Sequence, residues 1–265
     1  MNSPLCILTI AGSDSGGGAG IQSDIRTIRA LGGHALTAVT AVTAQDTRRI
    51  SAWKPVAESL IQAQVESALS GFTVGAAKTG LLPGPGAVRA VAKALARHPT
   101  VPLVVDPVLS SSGGTAFLSP SAAGLLRRLL LPRAVLSTPN WPEAAILARI
   151  QVRSHEQAAR AAAKLAEETG RPVLVKGGHS RGPECRDCLA LPGGGTVWFT
   201  AERIQTPNTH GTGCVLSAAI ATWIGRGADL MEAVRLGHSF LQSALVRGRG
   251  LDWGGGRGPA FFGSR

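Results

Sequence analysis

Short apolar runs alternate with longer helix-like stretches along almost the whole chain, and no other feature narrows the available folds as much. The runs cover residues 5–11, 36–44, 74–78, 103–106, 134–137 and 173–176. The helix-like stretches cover 21–31, 57–70, 86–96, 119–130, 156–169, 214–225 and 230–247. Strand, helix and strand in succession build a parallel sheet, because only a long crossover brings the chain back to the same end of the sheet. Pro120 and Pro142 stand where helices would begin, positions at which a missing N–H is harmless. Residues 182–200 break the rhythm: two apolar runs flank turn residues 192–195, which predicts a small antiparallel hairpin. No internal repeat and no long linker divides the chain, so one α/β domain over 1–265 is expected. Its Gly-rich tail, 250–265, is expected to be partly disordered.

Composition excludes several classes. With 44% apolar and 16% charged residues the chain is too apolar for intrinsic disorder, and its 34 Gly are scattered rather than periodic. No run approaches the roughly 18 apolar residues of a bilayer span, and residues 1–6 lack the basic start of a signal peptide. Four cysteines, Cys6, Cys185, Cys188 and Cys214, are too few and too uneven for a disulfide framework. A cytoplasmic protein is expected. The 27 Lys+Arg outnumber the 16 Asp+Glu, giving a net charge of +11, which raises the question of nucleic acid. Only five of those cations are Lys, no basic arm is present, and there is no Tyr to stack a base, so an Arg-rich solvated surface is the favoured reading.

In an open parallel sheet, ligands bind beyond the carboxyl ends of the strands. The residues directly after the runs are unusual in this chain: Gly12-Ser-Asp14, Gln45-Asp46, Lys78, Asp106, Asn140 to Glu143 and Lys176-Gly-Gly178. The first run leads into Ala11-Gly-Ser-Asp-Ser-Gly-Gly-Gly-Ala-Gly20, which matches neither a dinucleotide fingerprint nor a P-loop. Close backbone approach to a ligand and a plain tight turn are both open readings of it. Asp24, four residues into the next helix, would face the same mouth or sit as a solvated charge near the helix start.

Asn208-Thr-His-Gly-Thr-Gly-Cys214 precedes an apolar helix. The amides of Thr212, Gly213 and Cys214 can cup an anion there, and the helix dipole should ease deprotonation of the Cys214 thiol. A small buried apolar side chain is the alternative for Cys214. Asp106, with Asn140 and Glu143, supplies oxygen ligands of the kind Mg²⁺ takes through water, and Lys176 is placed to meet phosphate oxygens. Helix-start complementation for Glu143 and a solvated strand-end charge for Lys176 are the bland alternatives. Cys185 and Cys188 have no second pair to complete a zinc site, so no structural metal is assigned.

Together these segments resemble the hydroxymethylpyrimidine and phosphomethylpyrimidine kinases of thiamine biosynthesis, within the ribokinase-like superfamily. Leu8-Thr-Ile-Ala-Gly-Ser-Asp14, Thr43-Ala-Gln-Asp-Thr47, Val104-Val-Asp-Pro-Val108, Thr138-Pro-Asn-Trp-Pro-Glu143, Val175-Lys-Gly-Gly-His179 and Asn208 to Cys214 follow in family order over about nine-tenths of the chain. Most ribokinase-like enzymes carry Asp where Cys214 stands. The resemblance implies a three-layer ribokinase-like fold with helices on both faces of a mostly parallel sheet. It implies ATP and Mg²⁺ as cofactors, a homodimer, and phosphoryl transfer to 4-amino-5-hydroxymethyl-2-methylpyrimidine and then to its monophosphate. Cys214 would take the hydroxyl proton beside the Gly211 to Cys214 backbone. Gln45 would meet the aminopyrimidine edge, with Gly12, Asp24, Leu81 and Val108 lining the same pocket. Asp106, Asn140, Glu143, Lys176, Thr212 and His238 would serve ATP and its phosphates, Asp106 and Glu143 through the metal.

Three departures bear on phosphate contacts. His238 stands where the family usually has Lys, Ser112 replaces another frequent Lys, and the C-terminal stretch reads Gly256-Arg-Gly-Pro-Ala-Phe-Phe262 in place of a His-containing motif. A pyridoxal kinase of the same superfamily is the nearest rival. A basic nucleic-acid-binding module and a non-catalytic pyrimidine carrier are the rivals from other classes.

Overall fold

A computed structural model of the chain describes residues 3–110 and 117–261. Ser112 and Phe262, two of the positions weighed above, lie outside them. The elements run β1 (Cys6–Asp14), α1 (Gly20–Ala30), β2 (His34–Gln45), β3 (Ile50–Pro55), α2 (Glu58–Gly71), β4 (Val74–Thr79), α3 (Gly84–Ala96), β5 (Leu103–Val105) and α4 (Pro120–Leu129). They continue with β6 (Leu136–Ser137), α5 (Trp141–Ala148), α6 (His155–Thr169), β7 (Val173–Val175), β8 (Glu184–Ala190), β9 (Thr196–Glu202), α7 (Thr212–Gly225) and α8 (Leu230–Gly248).

The nine strands form one sheet in the order β3-β2-β1-β4-β5-β6-β7-β8-β9. The six central strands are parallel, and β3 at one margin and β8 and β9 at the other are antiparallel. The parallel strands are the six apolar runs of the sequence. β1 shows why they lack alternation: Ile7 and Leu8 face opposite sides and both are fully buried. One face carries Leu8, Ile10, Leu103 and Val105 against α2 to α6, and the other carries Ile7, Ala76, Val104 and Leu136 against α1, α7 and α8. This is the three-layer α/β architecture expected.

Two elements escape the sequence pattern. β3 pairs antiparallel with β2 from Ala41↔Pro55 to Gln45↔Ile50, and its exposed, unpatterned residues suit an edge strand closed by a proline. α5 is short, but Asn140 caps it: its Oδ1 accepts the Glu143 amide at 3.0 Å while Glu143 accepts the Asn140 amide at 2.7 Å. Pro120 stands at the first position of α4 and Pro142 one residue inside α5, so both prolines mark helix starts.

The tail returns to the sheet's functional edge as far as it is described. The Gly258 carbonyl accepts from the His210 amide at 2.9 Å, Arg257 donates its amide to Thr47 at 2.7 Å, and Ala260 is buried. β1, β4, β5, β6 and β7 all end on that edge, bringing Asp14, Lys78, Asp106, Thr138 and Lys176 to it.

Candidate active site

A cavity of about 920 Å³ opens at the carboxyl edge of the parallel strands. Gly12, Gln45, Leu81 and Val108 stand on its wall, as do Asp106, Asn140, Glu143 and Lys176. Gly211, Thr212, Gly213 and Cys214 enter from the start of α7, and His238 from α8. Asp24, expected to line the same pocket, is absent from this wall, as is Lys78.

The start of α7 is built by glycine. Gly211 has φ 75°, and a Cβ there would stand 2.0 Å from the Gly18 carbonyl, so any other residue would push the glycine loop away. The Val215 amide closes the first good helical bond, onto Gly211 at 2.9 Å. The amides of Gly213 and Cys214 therefore have no acceptor within the helix and project from its positive end. Thr212 leans back instead, its hydroxyl donating to the Thr209 carbonyl at 3.1 Å.

Cys214 is half-buried at this helix start. The expected easing of its ionisation is not found: burial pushes the thiol up to about 11, helped by the Asp24 and Asp106 carboxylates, and Lys78 and a bond from the Gly20 amide pull the other way without prevailing. Desolvation of the thiolate outweighs the pull of Lys78 and of that amide. The resting group is a neutral thiol.

Asp24 departs from expectation as well. It neither faces the mouth nor meets water: it is fully buried and bonded to Lys78 Nζ at 2.8 Å, with the Thr9 hydroxyl donating at 2.5 Å. Burial works against the Lys78 charge, but the Asp24 carboxylate, reinforced by Asp106, holds it well above the usual ammonium range. The pair forms a sealed ionic floor behind Cys214.

A second pair opens into the cavity. Lys176 Nζ donates to Asp106 Oδ1 at 2.6 Å, and the Thr138 and Ser217 hydroxyls donate to the same carboxylate at 3.1 and 3.2 Å. Burial raises Asp106, yet Lys176 and Lys78 overcome it and hold the carboxyl below its ordinary value. Gly213 keeps this corner open, since a Cβ there would lie 3.1 Å from Lys176 Nζ. Glu143 is pushed up to about 7 by burial, against the pull of Lys176 and with the help of the Asp106 charge. Among the described residues no group of three His, Cys, Asp or Glu could hold a metal by itself. Two carboxylates that repel each other on the wall of the cavity nevertheless fit Mg²⁺, which takes one or two protein carboxylates and fills its shell with water and phosphate oxygens.

Across the cavity, Asp14 Oδ2 accepts the Gly18 and Ala19 amides at 3.0 and 2.8 Å and lies 2.9 Å from His210 Nε2. Burial raises Asp14, but His210 and the Ala19 and Gly16 amides hold it below the usual carboxylate range. The Gln45 side-chain amide is 3.0 Å from the same His210 nitrogen. On α8, His238 Nε2 lies 3.1 Å from Asp187 Oδ2 and its ring stacks on Phe199, so the ring is turned to a carboxylate as well as to the cavity.

Sequence reasoning assigned no role to Lys78, Asp14, His210, Thr138, Ser217 or Asp187. Lys78 and Asp14 carried a signal, since each ends an apolar run. Thr138 and His210 sat inside quoted motifs, whereas nothing in the sequence marked Ser217 or Asp187. Cys185 lines the cavity and Cys188 is buried on the same strand.

The phosphomethylpyrimidine kinase family profile matches residues 14–260. A hydroxymethylpyrimidine/phosphomethylpyrimidine kinase of Rhizobium meliloti strain 1021 is 42% identical over 253 residues, spanning 95% of this chain and 94% of its own length. Among solved structures, a Bacillus subtilis pyridoxal kinase in complex with ADP superposes with a TM-score of 0.90 at 32% identity, over 98% of this chain and 97% of that one. The phosphomethylpyrimidine kinase of Clostridium difficile 630 superposes with a TM-score of 0.79 at 33% identity, over 91% and 99% of the two chains. No helix among the described residues is long and apolar enough to cross a membrane. With a glycine-framed helix start, a cavity-facing Asp–Lys pair and a thiol meeting at one sheet edge, and with a profile match over nearly the full length, the chain belongs to the phosphomethylpyrimidine kinase family.

Proposed function

We propose that the chain transfers the γ-phosphoryl group of ATP to the primary alcohol of 4-amino-5-hydroxymethyl-2-methylpyrimidine, and then phosphorylates the monophosphate, in thiamine biosynthesis. The observation that carries this reading is the convergence of Cys214, the Gly213 and Cys214 amides, Lys176 and Gln45 on one cavity. The amides would hold the oxygens over which charge spreads during transfer, and Lys176 would share its ammonium between Asp106 and a phosphate. Mg²⁺, when bound near Asp106 and Glu143, would supply neutralisation of phosphate charge. Cys214 Sγ would accept the hydroxyl proton once its own proton has left, with Lys78 behind it as the stabilising cation. Because burial sets that thiol near 11, turnover should climb with pH through the neutral range.

The Bacillus subtilis pyridoxal kinase superposes over nearly the whole chain, so pyridoxal is the competing alcohol. Parallel ATP-dependent assays against hydroxymethylpyrimidine, its monophosphate and pyridoxal, read by product mass, separate the two. Faster product formation from the pyrimidine is expected, and a preference for pyridoxal would transfer the assignment. A homodimer in the cytoplasm completes the proposal.

A further inference from the structure

His210 belongs to the glycine-framed motif but lies outside the phosphate-facing amides, and its surroundings define what its ring must do. One imidazole nitrogen, Nε2, faces two partners: Asp14 Oδ2 at 2.9 Å and, with the Gln45 amide as placed, Gln45 Nε2 at 3.0 Å. That nitrogen carries either one proton or one lone pair. Asp14 has no proton to offer, since its Oδ2 already accepts the Gly18 and Ala19 amides and its Oδ1 accepts the Gly16 amide at 2.8 Å. The proton must therefore be on His210 Nε2, and it points at the carboxylate. The ring has little room to swing away. A Cβ on Gly18 would lie 2.3 Å from His210 Cδ2, and the His210 backbone is tied to the Gly258 carbonyl.

A protonated Nε2 constrains Gln45 in turn. The amide atom beside a donor must be an acceptor, and the oxygen and nitrogen of a glutamine side chain exchange by a half-turn of its last torsion. Gln45 cannot avoid the choice by moving its backbone, because the Ser15 hydroxyl accepts its amide at 2.7 Å and donates to its carbonyl at 2.8 Å.

We propose that His210 is a positioning residue: by sharing its single Nε2 proton between Asp14 Oδ2 and Gln45 Oε1, it fixes the Gln45 amide with its oxygen toward the ring and its NH₂ toward the substrate cavity. This deepens, and rests on, the aminopyrimidine reading above. A fixed amide reads one order of groups along a substrate edge. Oε1 keeps a lone pair for an exocyclic amino group, and the NH₂ donates to the adjacent ring nitrogen. The 4-oxo analogue, 5-hydroxymethyl-2-methylpyrimidin-4-one, presents the reverse order, a carbonyl beside a ring N–H. Against it the fixed amide sets acceptor to acceptor and donor to donor.

Two measurements test this. In the ligand-free protein with ring-¹⁵N histidine, a long-range ¹H–¹⁵N spectrum assigned with His210→Gln should show the proton on Nε2. A His210 ring with unprotonated Nε2 would overturn the proposal whether or not the chain is a kinase. In steady-state assays the wild-type chain should favour the 4-amino over the 4-oxo substrate in kcat/KM by about 10² or more, as two mismatched hydrogen bonds demand. His210→Leu should shrink that ratio to within about tenfold, mainly by raising KM for the 4-amino substrate, while KM for ATP stays. His210→Gln, which can still donate to Asp14, should recover part of the discrimination. A His210→Leu enzyme that slows on both substrates equally would mean that the ring only holds the loop, and would sink the specificity role. If neither pyrimidine is phosphorylated by the wild-type chain, the functional reading fails and the spectrum still decides the tautomer.

Discussion

Two Asp–Lys pairs, one joining α1 to β4 and the other joining the ends of β5 and β7, have opposite surroundings. Lys78 and Asp24, 2.8 Å apart, are both 0% exposed, whereas Lys176 and Asp106, 2.6 Å apart, keep 13% and 2% of their side chains accessible beside the cavity. The sealed pair has its bonding capacity taken up by Thr9 and by itself. The open pair has its carboxylate steadied by Thr138 and Ser217, and its lysine lines the cavity. Identical chemistry thus serves two ends. Sealed from solvent it is a fixed charge close to Cys214, and beside a cavity it is a cation that an incoming ligand could share.

Cys214 lies within the field of both pairs, and removing it should produce the largest effect on the reaction. Cys214→Ala should lower kcat by about 10²- to 10⁴-fold, the usual range for a lost proton acceptor, while nucleotide binding measured by calorimetry persists. Undiminished turnover would remove the base role. Next comes the contrast between the lysines. Lys78→Met strands a buried carboxylate and should destabilise the chain by about 3–5 kcal/mol in urea unfolding. Lys176→Met leaves Asp106 within reach of cavity water, so about 1–3 kcal/mol is expected there, with a marked rise in KM for ATP. Equal stability losses would erase the distinction between sealed and open.

Glu143 sharpens the comparison through pH. Its folded-state value of about 7 lies above the ordinary 4.5, so between these values the folded chain holds a proton that the unfolded chain has released. Its contribution to stability is present at the acid end of that window and is lost as pH rises through about 7. Glu143→Gln should flatten the dependence of the melting temperature across the window, and an unchanged slope would place the titration elsewhere. The smallest effect belongs to Arg160 and Glu156 on α6, a pair 71% and 74% exposed. Arg160→Ala should change stability by about 0.3–0.5 kcal/mol, and a loss rivalling Lys78→Met would contradict the role assigned to burial.

Much of the fold was legible because burial on both faces leaves a strong trace. The six apolar runs became the six parallel strands, and the hairpin at 184–202 spans the predicted break. β3 was illegible, since an exposed edge strand has no core face to pattern it, and α5 was short enough for its proline to be read without its helix. In the site, the glycine-framed start of α7 and the strand-end residues could be read in advance because backbone geometry and sheet topology leave few alternatives. Asp24 could not be placed correctly. A carboxylate early in a helix looks the same in sequence whether it meets water or Lys78, 54 residues away.

The order of apolar runs and helices, set by local periodicity and by the need for crossovers, determined the layered sheet and the edge at which its chemistry gathers. Tertiary structure alone decided the state of each group there. Whether Cys214 rests as a thiol, whether a lysine is sealed or open, and which way Gln45 turns all depend on desolvation and on partners far along the chain. Those quantities exist only once the chain has closed around them.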